Sequence, residues 1–435
     1  MVEPAARVEV GVAIVGAGAA GLWAAQVAAS RLAELGRPDP GVLLLEKTPR
    51  TGTKVLASGG THCNLTTTLP PDEAAALFGK EAERFLLPAL WNLPPAAVRE
   101  RFHQLGVPTV EAPLEKIFPA SGRAKDVRDA MEAAARAAGA SIWLDASVAS
   151  VAREGERWRT ELADGRVVLS RALMLCPGGK SYAGSGTTGD GYVWLKSLDL
   201  PIVEPVPALV PLTSPEVWVR ELTGIAPQDV EARLLSPKGK VLATRRRPVV
   251  FTHQGLSGPG AMDLSEPVAR YEAGGRIGPL PRLALDLAPD LGRDELRALL
   301  LDAATAKGAP RLSRALGLEL PKRLRAQIAA SAGLDELDPR VGHITKAQRH
   351  ELIETLKGLQ VPVDGTLGYD KAEVTAGGLA LKVVDPNTLG VRGHPGLHVF
   401  GELLDIQGPI GGLNFQAAWS TAELAAIDAV ARLST

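Results

Sequence analysis

Val12-Ala13-Ile14-Val15-Gly16-Ala17-Gly18-Ala19-Ala20-Gly21 is the stretch on which the reading of this chain turns. Four apolar, mostly β-branched residues predict a strand buried on both faces. A G-x-G-x-x-G sequence follows with no spacer and predicts a sharp turn into a helix. Residues 22–35 are rich in Ala and Leu and are closed by Gly36, so they read as that helix. Val42-Leu43-Leu44-Leu45 predicts a second buried strand, ending on Glu46.

This order of strand, glycine turn, helix, strand and acid has a physical meaning. Gly16 permits the tight turn, Gly18 lets a pyrophosphate approach the backbone, and Gly21 lets the helix pack close to the strand. The helix start offers unpaired N–H groups and a partial positive charge to the phosphates. Glu46, 25 residues beyond Gly21, is placed for ribose hydroxyls. A dinucleotide-binding α/β fold is expected.

No charge occurs between Glu9 and Arg31. A signal or membrane helix would explain that, but the glycines and Gln26 interrupt the run and no basic segment precedes it. A buried strand, turn and helix explain it better. At 435 residues the chain has room for two or three domains. Its 48 Lys and Arg against 49 Asp and Glu exclude a uniformly basic protein. Only two cysteines, Cys63 and Cys176, exclude a disulfide framework and a four-cysteine zinc site. They suit a reducing, cytoplasmic compartment. His, Asp and Glu spacings give no metal motif. A second literal match, Gly184-Ser185-Gly186-Thr187-Thr188-Gly189, does not directly follow a strand. It is read as a chance match and not as a second nucleotide fold.

Beyond Glu46 come Lys47, Lys54 and Ser58-Gly59-Gly60-Thr61-His62-Cys63-Asn64. Further blocks are Glu115-Lys116-Ile117-Phe118-Pro119, Gly178-Gly179-Lys180-Ser181-Tyr182, Thr188-Gly189-Asp190-Gly191-Tyr192 and Phe251-Thr252-His253-Gln254-Gly255-Leu256-Ser257-Gly258-Pro259. Gly401-Glu402-Leu403-Leu404-Asp405 and Gly411-Gly412-Leu413-Asn414-Phe415-Gln416 close the series. In this order they resemble the YhiN/BaiN-type family of FAD-dependent oxidoreductases, some of whose members carry the name aminoacetone oxidase. The match runs over nearly the whole chain. Departures are His62 in place of the usual Arg, Leu413 in place of a common aromatic, Ala422 in place of a helix glycine, and Cys176-Pro177 before the glycine pair.

The resemblance implies an α/β protein whose Rossmann-like FAD-binding domain is discontinuous, with an inserted β-barrel-like subdomain and a helical subdomain. The FAD domain is expected at 1–205 and 366–435. The β-rich insert is expected at 206–289 with a return at 346–365, and the helical one at 290–345. Short apolar runs at 230–235, 241–244 and 283–287 and the Leu-rich spacing of 296–301 agree with that division. A strand at 397–400 and a helix at 414–433 are expected near the end.

The cofactor-binding set implied is Gly16, Gly18, Ala19, Ala20, Gly21, Glu46, Lys47, Lys54, Ser58, Gly59, Gly60, Asn64, Val148, Gly178, Gly179, Gly401, Glu402, Gly411, Gly412, Leu413, Asn414 and Phe415. Glu402 takes the place of an acid on the ribityl chain. Cys63 is either a proton donor, its thiol activated by a cationic His62, or a small buried packing residue. His253, a catalytic candidate, and Gln254 are read as binding substrate or transferring a proton, on a loop fixed by Ser257 as an N-cap, or as loop-stabilising. Thr188 and Asp190 are read as caps of a helix at 191–198. Cys176 is read as a buried strand-end residue.

The activity expected is hydride transfer from flavin N5 to an unsaturated C=C or C=O substrate, with NAD(P)H as transient donor. Family members point to uracil in ribosomal RNA, which ranks first, and to steroid-like enones. An amine oxidase and a flavin-binding protein without turnover remain as alternatives. Two basic clusters, Arg245-Arg246-Arg247 and Lys322-Arg323-Leu324-Arg325, read as solvated surface or, lying in the inserted region, as candidates for RNA contact despite the neutral total charge.

Overall fold

The computed structural model describes residues 7–37, 41–275 and 281–433. The outer ends of the expected FAD domain, and residues 276–280 of the expected β-rich insert, lie outside the described residues. The chain divides into two compact units. Unit 1 comprises Met1–Val206 and Glu373–Thr435, and unit 2 comprises Pro207–Ala372. The return to unit 1 thus falls at Glu373, where the sequence reading put it at 366.

Unit 1 is built on a seven-stranded sheet. Its centre is β1 (Arg7–Val15), which runs parallel to β2 (Val42–Leu45) with Val12 beside Val42 and Val15 beside Leu45. Strand Ser141–Trp143 extends the sheet beyond β2, also parallel. On the other side of β1 lies the nine-residue strand Val167–Leu175. The far edge of that strand serves two partners. Residues 167–170 pair antiparallel with Arg157–Leu162, the inner strand of a hairpin with Val148–Glu154. Residues 173–175 pair parallel with Leu397–Val399. Val12, Ala13 and Ile14 are fully buried, as a central strand covered on both faces requires.

Helix α1 (Ala19–Glu34) starts three residues earlier than residue 22, because the glycine turn already supplies its first turn. It packs against the last long helix, Leu413–Ala431. The contact is aromatic: Trp23, Phe102 and Trp419 form a triangle with centroids 5.4–5.7 Å apart. Phe415 stacks on Trp419 at 5.4 Å. The two indole N–H groups are both satisfied, by Glu423 and by the Leu65 carbonyl. Truncating one such ring costs about 3–5 kcal/mol. Sequence ends 400 residues apart are thereby held in one core. Fully buried His398 adds a polar strut: its Nε2 lies 2.8 Å from Asp428, which also accepts from Arg432. Burial would raise the Asp428 carboxyl, but these hydrogen bonds hold it below the usual range.

Unit 2 holds two four-stranded antiparallel sheets and a helical part. One sheet orders Val241–Arg246, Glu231–Leu235, Arg282–Asp286 and Leu359–Pro362. The other orders Val250–Thr252, Gly255–Ser257, Leu212–Thr213 and Gly365–Thr366. Helices Arg293–Thr305, Lys322–Ser331 and Lys346–Gly358 share a core with the first sheet, through Leu296, Leu300, Leu324, Ile328, Leu352 and Leu356. Among the described residues no helix is long and apolar enough to cross a membrane.

Candidate cofactor site

The site of unit 1 is assembled at the carboxyl ends of β1 and its two neighbours, the switch point at which an open α/β sheet binds ligands. The three glycines of the first turn divide their work as physics demands. A Cβ on Gly21 would sit 1.8 Å from the Gly16 carbonyl oxygen, and one on Gly16 would sit 2.7 Å from the Cys176 oxygen. Gly16 also has φ +103°. Around Gly18, by contrast, the space a Cβ would take is open. Two glycines are required by the protein itself, and the third faces outward.

Glu46 closes the turn from β2. Its Oε2 accepts from the Ala17 amide at 2.9 Å and its Oε1 from the Thr48 amide and hydroxyl. Gly52 N–H donates to the Ala17 carbonyl, so the segment after β2 wraps the glycine turn. Lys54 then reaches across to Glu402, at 2.6 and 2.8 Å from its two oxygens. Ser181 accepts from Lys54 and donates to Glu402. Thr375 N–H donates to the same Glu402 oxygen, and Thr375 Oγ1 accepts from the Lys180 and Ser181 amides. One network thus joins four distant segments. Lys47 makes a second junction, 2.7 Å from Asp190 and 2.6 Å from Thr188.

Residues 58–65 run between the Lys54 network and the start of helix Leu413–Ala431. At the far end the Thr66 carbonyl stands where a Cβ on Gly412 would be, 2.2 Å away. Gly59 and Gly60 are left-handed and exposed, and Thr61 and Cys63 adopt positive φ as well. Left-handed backbone at two non-glycine residues is strain of the kind stored at functional sites. Asn64 pins the loop by accepting from Ile117 N–H. Asn414 clamps Gly408, donating to its carbonyl and accepting from its amide. Gly401, at φ +67°, abuts Ala20, and Gly178, at φ +80°, abuts Thr187. Gly179 abuts Thr375, and Val148 is buried at the start of its strand.

Some expected roles are not what the geometry gives. His62 does not face the Cys63 thiol: it is exposed, with Nδ1 2.7 Å from the Gly122 carbonyl. Cys63 is fully buried, and burial pushes its thiol up to about 12, partly offset by Ser58. The expected activation of that thiol by a cationic His62 is therefore absent. Burial also raises Cys176, assisted by the Glu46 charge. Thr188 and Asp190 do not cap their helix. Gly189 is the N-cap of Asp190–Ser197, and the two side chains hold Lys47 instead. Ser257 is likewise not an N-cap; Gly258 occupies that position and the Ser257 hydroxyl meets Met262 Sδ. In unit 2, His253 and Gln254 form the exposed two-residue turn between paired Thr252 and Gly255. Ser181, Thr375 and Thr53 received no role from sequence. Their signal was proximity to quoted blocks, but only the fold shows what they meet.

The residues fit a large anionic dinucleotide. The two longest helices, α1 and Leu413–Ala431, both begin at a glycine with no side-chain cap and no acid in the first turn. Neither helix start has a side-chain cap or a first-turn acid to satisfy its amides and positive end, which is the arrangement that phosphate and an electron-rich ring carbonyl satisfy. Thr53 Oγ1 is buried nearby with no hydrogen-bond partner. Among the described residues no group of three or more His, Cys, Asp or Glu could hold a metal ion.

The fold and this cradle are those of a Rossmann-type FAD-binding oxidoreductase. The chain belongs to the family described as the HI0933-like protein Rossmann domain, whose profile matches residues 10–428. It is 29% identical over 422 residues to the ribosomal RNA dihydrouridine synthase of Escherichia coli K12, covering 97% of this chain and 98% of that protein. It is 28% identical over 416 residues to the 3-dehydro-bile acid delta(4,6)-reductase of Clostridium scindens, covering 95% and 97%. Among solved structures, the 3-ketosteroid delta1-dehydrogenase of Sterolibacterium denitrificans aligns over 98% of this chain and 100% of that one, with 15% identity and a TM-score of 0.50. That last likeness concerns the fold.

Proposed function

We propose that this protein reduces a conjugated C=C bond, and that its substrate is uracil in ribosomal RNA, converted to dihydrouridine with NAD(P)H as electron donor. The observation that carries this reading is end-to-end similarity to a dihydrouridine synthase, combined with a cradle that fits FAD. The two curated relatives differ in substrate, but both names describe saturation of a double bond conjugated to a carbonyl. The reading therefore rests first on a reaction and second on a substrate. A steroid-like enone is the second substrate class, supported by the bile acid reductase relative at nearly equal identity.

Bound FAD supplies hydride chemistry; the chain supplies position and charge. Gly16–Gly21 and the start of α1 would take the pyrophosphate, and Glu46 the ribose. Lys54, Glu402, Ser181 and Thr375 would supply a polar wall for the ribityl chain. The amides of residues 413–415 would offer positive charge to a flavin ring that gains electrons on reduction. Cys63 packs the strained loop and keeps its proton throughout the neutral range.

The purified protein is expected to show flavin absorption that NADH or NADPH bleaches anaerobically. A bound flavin that neither donor reduces would turn the reading toward an oxidase or a binding protein. Mass spectrometry of ribosomal RNA from cells with and without the gene decides the substrate: unchanged dihydrouridine would reject RNA and leave the enone.

A further inference from the structure

The basic residues singled out by sequence are largely engaged within unit 2. Arg246 is held by Asp229 and Asp290, at 2.6 and 2.7 Å, and Arg245 lies 3.7 Å from Asp263. Arg323 donates to the carbonyls of Glu221 and Thr223, and Arg325 lies 4.0 Å from Asp338. Charges satisfied in this way offer less to an external anion.

A different cationic surface emerges at the turn end of the same sheet. Residues 232–262 contain six Lys and Arg and no Asp or Glu, in a chain whose totals are 48 Lys and Arg against 49 Asp and Glu. Its tip, Ser236-Pro237-Lys238-Gly239-Lys240, is a tight turn in which Ser236 N–H donates to the Lys240 carbonyl and Lys240 N–H donates to the Ser236 hydroxyl oxygen. Lys238 and Lys240 are exposed and have no ion-pair partner among the described residues. Arg282 stands beside Leu235 on the next strand, exposed and equally unpaired among them. Next to the tip, Val241 and Leu242 of the edge strand are 44% and 51% exposed.

We propose that this turn end, carrying Lys238, Lys240 and Arg282, is a docking surface for the RNA sugar–phosphate backbone. It rests on the RNA reading above and assigns that substrate's contact point. A polyanion suits it for three reasons. The three cations are exposed and without an ion-pair partner among the described residues, so binding releases counterions from the nucleic acid. A hydrogen-bonded hairpin turn holds two of them, which lowers the ordering cost of contact. A second copy of this chain is disfavoured, because it would bring like charges together on an edge strand that a register shift near Leu235 already irregularises.

The test uses the flavin-loaded full chain and a fluorescein-labelled RNA stem-loop, read by anisotropy from about 50 to about 200 mM salt. Lys238→Glu/Lys240→Glu/Arg282→Glu is expected to weaken binding tenfold or more. It should also flatten the slope of log affinity against log salt by about two to three. Flavin content and donor-driven flavin bleaching should stay at wild-type values, since none of the three belongs to the cofactor site. The charge-matched control Lys80→Glu/Arg84→Glu/Lys196→Glu in unit 1 should bind as wild type. Equal affinity and slope for the hairpin variant would overturn the proposal, and so would an equal loss in the control. A change of oligomeric state in the hairpin variant, or binding of phosphatidylserine vesicles in place of RNA, would also overturn it. If wild type forms dihydrouridine while the hairpin variant binds RNA normally, the docking surface fails and the enzymatic reading stands. Hairpin-dependent binding with no dihydrouridine formed would fail the enzymatic reading alone.

Discussion

The chain carries the same six-residue pattern twice, and the two copies behave as different objects. In residues 16–21 two of the three glycines are forced: a side chain on Gly21 would overlap the Gly16 carbonyl and one on Gly16 the Cys176 carbonyl, and the turn leads from a central strand into a 16-residue helix. In residues 184–189 the first glycine has open space around it, and the backbone makes a 3-10 turn at Ala183–Ser185. Gly186 there merely gives way to Lys47 and Thr48, and Gly189 starts a helix of eight residues. A glycine pattern acquires meaning from the strand before it, the helix after it and the acid on the neighbouring strand. The second copy leads into a helix but has no strand directly before it, and it supplies the polar shelf on which Lys47 rests.

The comparison can be broken by substitution. Gly21→Ala should have the largest effect, with loss of soluble, flavin-containing protein, because the overlap is with backbone and nothing can yield. Wild-type flavin content in that variant would remove the steric account of the first turn. Asp428→Asn tests the sheet that presents the turn. It should lower stability by about 1–3 kcal/mol in denaturant melts at neutral pH. Because the folded carboxyl is held below its ordinary 3.8, the contribution is present above that value and is lost as pH falls through the folded value, so wild type and variant should converge in acid. Glu46→Ala leaves the Ala17 and Thr48 amides without their acceptor, and FAD affinity should fall about tenfold or more by titration. Neither Cys63 nor Cys176 should react with a thiol reagent in the native protein, while both react once it is unfolded. Smallest of all, Gly184→Ala should shift stability by no more than about 0.5 kcal/mol.

What sequence made legible follows from locality. The Val42–Leu45 strand stands where the apolar run put it, and the final helix differs from expectation by one or two residues at its ends, because side-chain periodicity is a local property. The Lys54–Glu402 pair spans 348 residues, and no spacing rule connects them. Both were marked by resemblance, but that they meet each other is a product of the fold. Cys63 shows the converse. Sequence left it open between a proton donor and a buried packing residue, because sequence shows neighbours and not burial; the fold buries it completely. The hairpin cations were passed over for a related reason: a run of three arginines draws the eye, while Lys238 and Lys240 gain importance only when the neighbouring carboxylates are seen to be engaged elsewhere.

The divided edge of strand Val167–Leu175 bears on how the molecule is made. Its first half finds a partner in the hairpin just before it, but its second half waits for Leu397–Val399. During synthesis, unit 2 emerges whole and in one piece, whereas the sheet of unit 1 stays open along that edge until more than two hundred further residues have been added. The nascent chain therefore carries an incomplete sheet edge until Leu397–Val399 has been made, and the strand that completes the cofactor-binding sheet is added only after the whole of unit 2.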